Sequence, residues 1–413
     1  MLIDLHRGQL RNVIHSTHRA SLYTAYCLKW NGKSGRAVPL QNTCRNFRAY
    51  QTLTATLSFL ILPLFLVRCY HLHVAKDGLQ HPFTLILTYF STGFMIVVLP
   101  FAAVLASGSG PTKYVNCFEA ILHLERQLGE SIPNPSAPKG SAVTSHLLKS
   151  TIALPIFHNI LAYITPVMIS FPLLSPYSPV YTLLCSVSNV SSYPNLVKIP
   201  TLLITGFISL LVGTTLLSTL ALCILMIGYS IATLYGWMLF LLPHFRKGAA
   251  PQLRGGLEFH SSLKMYQSLR VLGIIETEFI RDMWIPCVHN ALTVTMSTGA
   301  LYYLLIDGGE DARILLKLPC ILVLCGAFVA EFNAVCLIAR AGTVSRLYIQ
   351  RMTWGNERNL YRVKLLKGLQ PCGINLEFLR SLNSAQDGGE LSGFLSNYLD
   401  RVANHTNSLL LTN

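Results

Sequence analysis

The chain has 413 residues, of which 52% are hydrophobic and only 12% charged, and it carries a formal net charge of +14. A soluble domain usually carries about a quarter charged residues. The composition therefore excludes an ordinary soluble globular protein and predicts an all-α, polytopic membrane protein.

Residues 1–50 hold Arg7, Arg11, Arg19, Lys29, Lys33, Arg36, Arg45 and Arg48 against the single acid Asp4. No apolar core with a cleavage site opens the chain, so no secretory signal is expected. The segment reads as a basic, partly helical arm lying near anionic lipid, which points to a cytoplasmic N-terminus.

Thr52–Tyr70 and Pro82–Ala106 follow as the first two expected spans. His71 and His73 between them lack the Cys or carboxylate neighbours that would complete a metal site. Ser107–Lys149 reads as a polar loop, irregular over the Pro- and Ser-rich stretch Ile132–Lys139. Its opening run from Ser107 to Lys113 is Gly-rich, but it lacks the Gly-Lys-[Ser/Thr] ending and the preceding strand of a phosphate loop. Ser150–Leu174 is the third expected span, bent at Pro155 and Pro166. The acid-free loop Ser175–Pro200 contains Asn189-Val190-Ser191, a glycosylation acceptor triplet that functions only on the lumenal side.

Thr201–Leu242 is far longer than one bilayer crossing needs. No turn signal sits near Leu220, so one long projecting helix is expected rather than a hairpin of two spans. His244–Trp284 is polar and helix-capable, Ile285–Ile306 is the fifth span, Asp307–Asp311 is an acidic turn, and Leu315–Ile338 is the sixth span. Ala339–Gln386 is strongly basic, with Asn359–Leu369 expected as a helix carrying Leu360, Val363 and Leu366 on one face. His158, His289 and Glu331, isolated within spans, read as hydrogen-bonding residues between helices.

Charge then orders the segments. With Thr201–Leu242 as a single pass, the N-terminal arm, His244–Trp284 and Ala339–Gln386 share one side, while Asn189 and the acidic turn share the other. A hairpin there would put the basic arm and the basic 339–386 segment on opposite faces. Seven transmembrane helices result, with the N-terminus inside and the C-terminus outside. A G-protein-coupled-type receptor has the reverse orientation, and its Asp-Arg-Tyr and Asn-Pro-x-x-Tyr signatures are missing. A secondary transporter is the other alternative, since its broken helices suit the Pro-rich third span; the two halves of the chain show no repeated hydropathy. Of eleven cysteines only Cys185 falls clearly in an outside loop, so no extracellular disulfide is expected.

The seventh span, Leu391–Leu411, is long enough to cross but too polar to face lipid. On a helical wheel, Gly393, Ser396, Asn397, Asp400, Arg401, Asn404, Asn407 and Ser408 fall in one arc of about 140°. Phe394, Leu395, Tyr398, Leu399, Val402, Ala403, Leu409 and Leu410 lie on the other side, interrupted by His405 and Thr406. Two placements fit this wheel: a helix whose polar arc lines a pore, or an amphipathic helix lying on the membrane surface.

The same end of the chain carries Cys372-Gly373-Ile374 and, after a spacer, Asn397-Tyr398-x5-Asn404-His405. This resembles the arthropod gustatory and odorant receptor superfamily, particularly divergent springtail-like members. There a small residue, Gly and an apolar residue precede Thr-Tyr-x5-Gln-Phe in the seventh helix. Tyr398 matches, while Asn397 stands for Thr, Asn404 for Gln and His405 for Phe. The resemblance implies a tetrameric, ligand-gated, non-selective cation channel of the plasma membrane, homomeric or heteromeric, opened by a small tastant or odorant. It further implies a pore lined by the seventh helices, with Ser396, Asn397, Asp400, Asn404, Asn407 and Ser408 facing the path. A ligand pocket is implied in the outer half, among the second to sixth helices, for which Tyr89, Tyr163, Met168, Phe171, Tyr302 and Tyr303 are the candidates. The expected organisation is a cytoplasmic arm (1–50), helices one to six with the pocket (51–338), a cytoplasmic anchor segment (339–387) and the pore helix (388–413). His-Glu-x-x-His and Gly-x-Ser-x-Gly are lacking, so no enzymatic activity is expected. Lipid is the expected surroundings, and neither a cofactor nor a nucleic-acid partner is expected.

Overall fold

The computed structural model describes residues 2–20, 25–74, 82–131, 195–243, 253, 257–282, 285–306, 320–321, 324–325, 327–328, 342–372 and 391–411. They are mostly helical. In chain order they form α1 (Leu2–Ala20), β1 (Leu28–Asn31), β2 (Arg36–Pro39), α2 (Arg45–Thr56), α3 (Leu62–Val74), α4 (Pro82–Ala106), α5 (Gly110–Glu130) and α6 (Asn195–Leu241). α7 (Phe259–Asp282) and α8 (Ile285–Ile306) follow. Helical residues 342–355 form α9, before α10 (Leu360–Lys367) and α11 (Leu391–Leu411).

α2 and α3 are one continuous rod joined by a single π-helical stretch, Leu57–Ile61. The hydroxyls of Thr52 and Thr56 bond back to the carbonyls of Arg48 and Thr52 at 3.0 and 2.9 Å, hiding their polarity inside the helix. One side of the rod leaves Phe59, Leu60, Leu66 and Val67 exposed, an uncovered apolar strip of the kind lipid covers. α6 is a single helix of 47 residues, as the missing turn signal led us to expect. At 1.5 Å per residue it is about 70 Å long, more than twice a bilayer core. Among the described residues, two helices are long and apolar enough to cross a membrane, Arg45–Leu72 and Leu203–Leu241. The pair Ser91–Ala106 and Gly110–Glu130, bent by 94°, adds a third if it is taken as one broken span.

That bend needs a glycine at Gly110, where an added Cβ would collide with the Val104 carbonyl oxygen. Gln51 on α2 closes the end of α4 by donating to the Ala106 carbonyl at 2.8 Å. Beyond the bend the structure departs from the expected polar loop. α5 is a regular amphipathic helix, and its buried Tyr114, Phe118, Ile121, Leu122, Glu125 and Leu128 recur every three or four residues. Lys113, Arg126 and Glu130, which made this stretch look like a loop, sit on its outer side. Ile132–Lys139 lies outside the described residues, as do the third span and its two prolines.

The N-terminal arm is helical over α1 and is folded into the protein. α1 buries His6, Gln9, Leu10, Val13, Ile14 and His18, and packs along α6 and against the β1–β2 hairpin. The hairpin is antiparallel, with Leu28 opposite Pro39 and Asn31 opposite Arg36. Asn31 shapes its turn by accepting the backbone N–H groups of Lys33 and Ser34, and Gly35 supplies the left-handed residue at φ 61°.

One hydrophobic core therefore draws on α1, the hairpin, α5, the C-terminal part of α6, α7, α9 and α10. At its centre Tyr229 of α6 donates to the Glu125 carboxylate at 2.5 Å and packs against the rings of His6 and Phe118, at 3.8 and 5.4 Å between centroids. Desolvation pushes His6 down to about 4 and holds the Glu125 carboxyl above the usual carboxylate range. At its edge Glu119 pairs with Arg7 of α1 at 3.2 Å and lies 3.7 Å from Arg36 of the hairpin.

Candidate functional site

The candidate site is built on α8 and α11, which pack along one another. Small polar residues on α8 recur at helical spacing, Thr293 and then Ser297, and both are buried. This pair receives Tyr398 of α11. The Tyr398 hydroxyl lies 2.5 Å from that of Ser297 and 3.5 Å from the Thr293 carbonyl oxygen. Val402, one turn on, packs with Tyr398 and Val294, and Leu301 lies against them. Phe328 sits at the edge of the Tyr398 ring, 6.4 Å between centroids.

Thr406 completes the docked face. The sequence placed it as an interruption of the apolar side, yet it is buried. Its hydroxyl donates to the Val402 carbonyl at 2.7 Å, so its polarity is satisfied within α11. Tyr398, Val402 and Thr406 stand four residues apart and form one narrow stripe.

Opposite that stripe lie the residues read as a polar arc. Asp400, Asn404, Asn407 and Ser408 are all exposed, and Arg401 and His405 flank them. Ser408 donates to the Asn404 carbonyl at 2.8 Å, tying the last turn together. Ser396 and Asn397 are on the helix, but their side chains lie outside the described residues. The apolar side of the wheel splits in two: Tyr398 and Val402 are docked, while Leu399, Ala403 and Leu410 form an exposed flank. The helix thus presents a face bound to α8, a bare polar face, and a bare apolar flank between them.

Among the pocket candidates, Tyr302 is half-buried on α8, one turn beyond Thr298, whose buried hydroxyl has no hydrogen-bond partner among the described residues. Tyr89 and Tyr303 belong to α4 and α8, with side chains outside the described residues. Tyr163, Met168, Phe171 and Asn189 are also outside them, as are His158, Glu331 and the side chain of His289. Sequence reasoning missed Ser297 and Thr293 as the seat of Tyr398. Their spacing of four in an apolar helix was the available signal.

Comparison with protein-family models and with curated proteins finds no match to this chain.

Proposed function

We propose that the chain is one subunit of a tetrameric, ligand-gated, non-selective cation channel: a chemosensory receptor of the plasma membrane opened by a small tastant or odorant. It crosses the bilayer seven times, with its N-terminus inside and its C-terminus outside. The observation that carries this reading is the division of α11 into a face docked on α8 and an opposite, uncovered polar face. An Asp or Arg presented to lipid costs about 2.5–3.5 kcal/mol, so the polar face needs water or protein. Four copies around an axis supply both, and Asp400 becomes a carboxylate ring that attracts cations and repels anions. A helix lying on the membrane surface accounts for the polar face as well. It does not account for the bond from Tyr398 to Ser297, midway along α8.

Two further features support the reading. The segments assigned to the cytoplasmic side by charge, together with α5 after the second span, share a single hydrophobic core. α6 is long enough to reach from the bilayer into that core. Assembly is supported by apolar side chains left uncovered outside the spans, among them Leu360, Tyr361, Val271 and Ile274. Leu366, expected on the same face as Leu360, is instead buried within the subunit, and Val363 is half-buried.

Gating is a shift of population between closed and open arrangements of α11, driven by a ligand that prefers the open one. Tyr302, a pocket candidate, and Ser297, which holds α11, lie on the same helix, so a ligand that moves α8 acts on the pore helix directly. The test is electrical. The full chain in planar bilayers should show unitary cation currents, and Asp400→Asn should lower their conductance. Bilayers without unitary currents, or a conductance indifferent to the substitution, contradict the proposal.

A further inference from the structure

The non-helical residues 369–372 follow α10, and their backbone groups are satisfied by side chains from two distant helices. Tyr266 of α7 donates its hydroxyl to the Gln370 carbonyl at 2.9 Å. Ser345 of α9 lies 2.7 Å from the Tyr266 hydroxyl. The Cys372 N–H donates to both, at 2.6 Å to Ser345 and 3.1 Å to Tyr266. The Cys372 thiol donates to the Leu269 carbonyl at 3.4 Å, and Arg270 donates to the Gln370 side-chain oxygen at 2.6 Å. Tyr266, Ser345 and Cys372 are all buried. The Tyr266 ring is held by stacking on Tyr348, 4.9 Å away and nearly parallel, and Tyr348 is fixed in turn by the Ser262 hydroxyl at 2.6 Å.

Every donor in this cluster has an acceptor with one assignment of protons. Ser345 donates to Tyr266, Tyr266 to Gln370, and the Cys372 N–H is shared between the two hydroxyls. A complete buried network of this kind holds one geometry, because losing any member leaves a buried polar group without a partner.

Cys372 is held by α7 and α9, and Tyr398, later in the chain, is held by α8.

We propose that Tyr266 and Ser345 are positioning residues that latch the chain after α10 through Cys372, and that releasing this latch favours the open arrangement of α11. The second half rests on the channel reading; the first does not. Tyr266→Phe keeps the stacked ring and removes only the hydroxyl, and Ser345→Ala removes the second arm. Ser345→Thr restores a hydroxyl and serves as the rescue.

The full chain in lipid nanodiscs is treated with N-ethylmaleimide, and alkylation at each cysteine is followed by peptide mass spectrometry. The latch predicts that Cys372, now buried, reacts roughly tenfold faster in Tyr266→Phe and in Ser345→Ala, with Ser345→Thr near wild type. Cys27 and Cys223, buried elsewhere in the same core, should keep their rates. An unchanged rate at Cys372, or an equal rise at all three cysteines, overturns the latch. In planar bilayers the same two variants should open several-fold more often without ligand. If Cys372 is released and the opening frequency stays at the wild-type value, the link to gating is wrong. If wild type passes no current at all, the channel reading falls together with that link, and the alkylation rates alone decide the latch.

Discussion

Tyr398 and Ser297 are 101 positions apart in the chain, yet their hydroxyl oxygens lie 2.5 Å from one another between α11 and α8. A hydrogen bond between two buried hydroxyls contributes about 1 kcal/mol net, and a partner left alone costs about 1–3 kcal/mol. Tyr398→Phe and Ser297→Ala should each lower the thermal stability of the detergent-solubilised chain by that order. The double variant should be little worse than either single one, a coupling of about 1 kcal/mol in the double-mutant cycle. Fully additive losses would mean that the two hydroxyls do not interact.

The buried cluster around Tyr229 gives a pH dependence whose sign follows from two opposed shifts. His6 is pushed down to about 4 from an ordinary 6.5, so the folded state resists its protonation. Its stabilising share is complete above pH 6.5 and is lost as pH falls towards 4, by about 3 kcal/mol in all. Glu125 is shifted upward, so its share is present below the usual carboxylate range and is lost as pH rises through its folded value. His6→Gln should flatten the acid limb of a melting-temperature profile between pH 6.5 and 4. Glu125→Gln should raise the melting temperature at pH 7.5 and leave it unchanged near pH 4. Profiles parallel to wild type would show that neither group is buried as described.

How much of this was legible in the sequence depends on the range of the contact concerned. Pro82–Ala106, Ile285–Ile306 and Leu391–Leu411 form helices with the expected ends, because hydropathy and helical periodicity are local properties of the chain. The single helix through Leu220 was legible from the missing turn chemistry. α5 was misread because its charged outer face outweighed the stripe from Tyr114 to Leu128 that faces the core. The folding-in of α1 and the network joining Tyr266, Ser345 and Cys372 depend on partners scores of residues away, and no local pattern carries them. In α11 the polar arc was legible, but the split of its apolar side into a docked stripe and a bare flank was not. That split depends on where α8 lies.

Orientation is checked by glycan mapping. Asn189 should acquire an endoglycosidase-sensitive glycan in a eukaryotic membrane. Epitopes at the N-terminus and at Gly255 should stain only after the plasma membrane is permeabilised. An N-terminal epitope stained on intact cells would reverse the topology and remove the cytoplasmic assignment of the shared core.

Assembly is checked by native mass spectrometry. Leu360→Glu and the pair Val271→Glu with Ile274→Glu place charges on apolar surface that is bare in the single subunit, and should leave monomers. Their melting temperatures should stay close to wild type, since neither surface is packed within the chain. Leu366→Glu, in the buried core, should instead unfold the elements packed around it. Tetramers that survive the Leu360 and Val271 substitutions would place the interface elsewhere.

In the proposed channel, one face of α11 looks onto water while the other is held by α8. Asn404→Cys and Val402→Cys, two residues apart on opposite faces, decide it in planar bilayers holding the full chain. A charged, membrane-impermeant methanethiosulfonate reagent should reduce the current through Asn404→Cys, faster when the channel is open. It should leave Val402→Cys and wild type unaltered. Equal modification of both positions, or a current indifferent to modification at Asn404, would contradict the account.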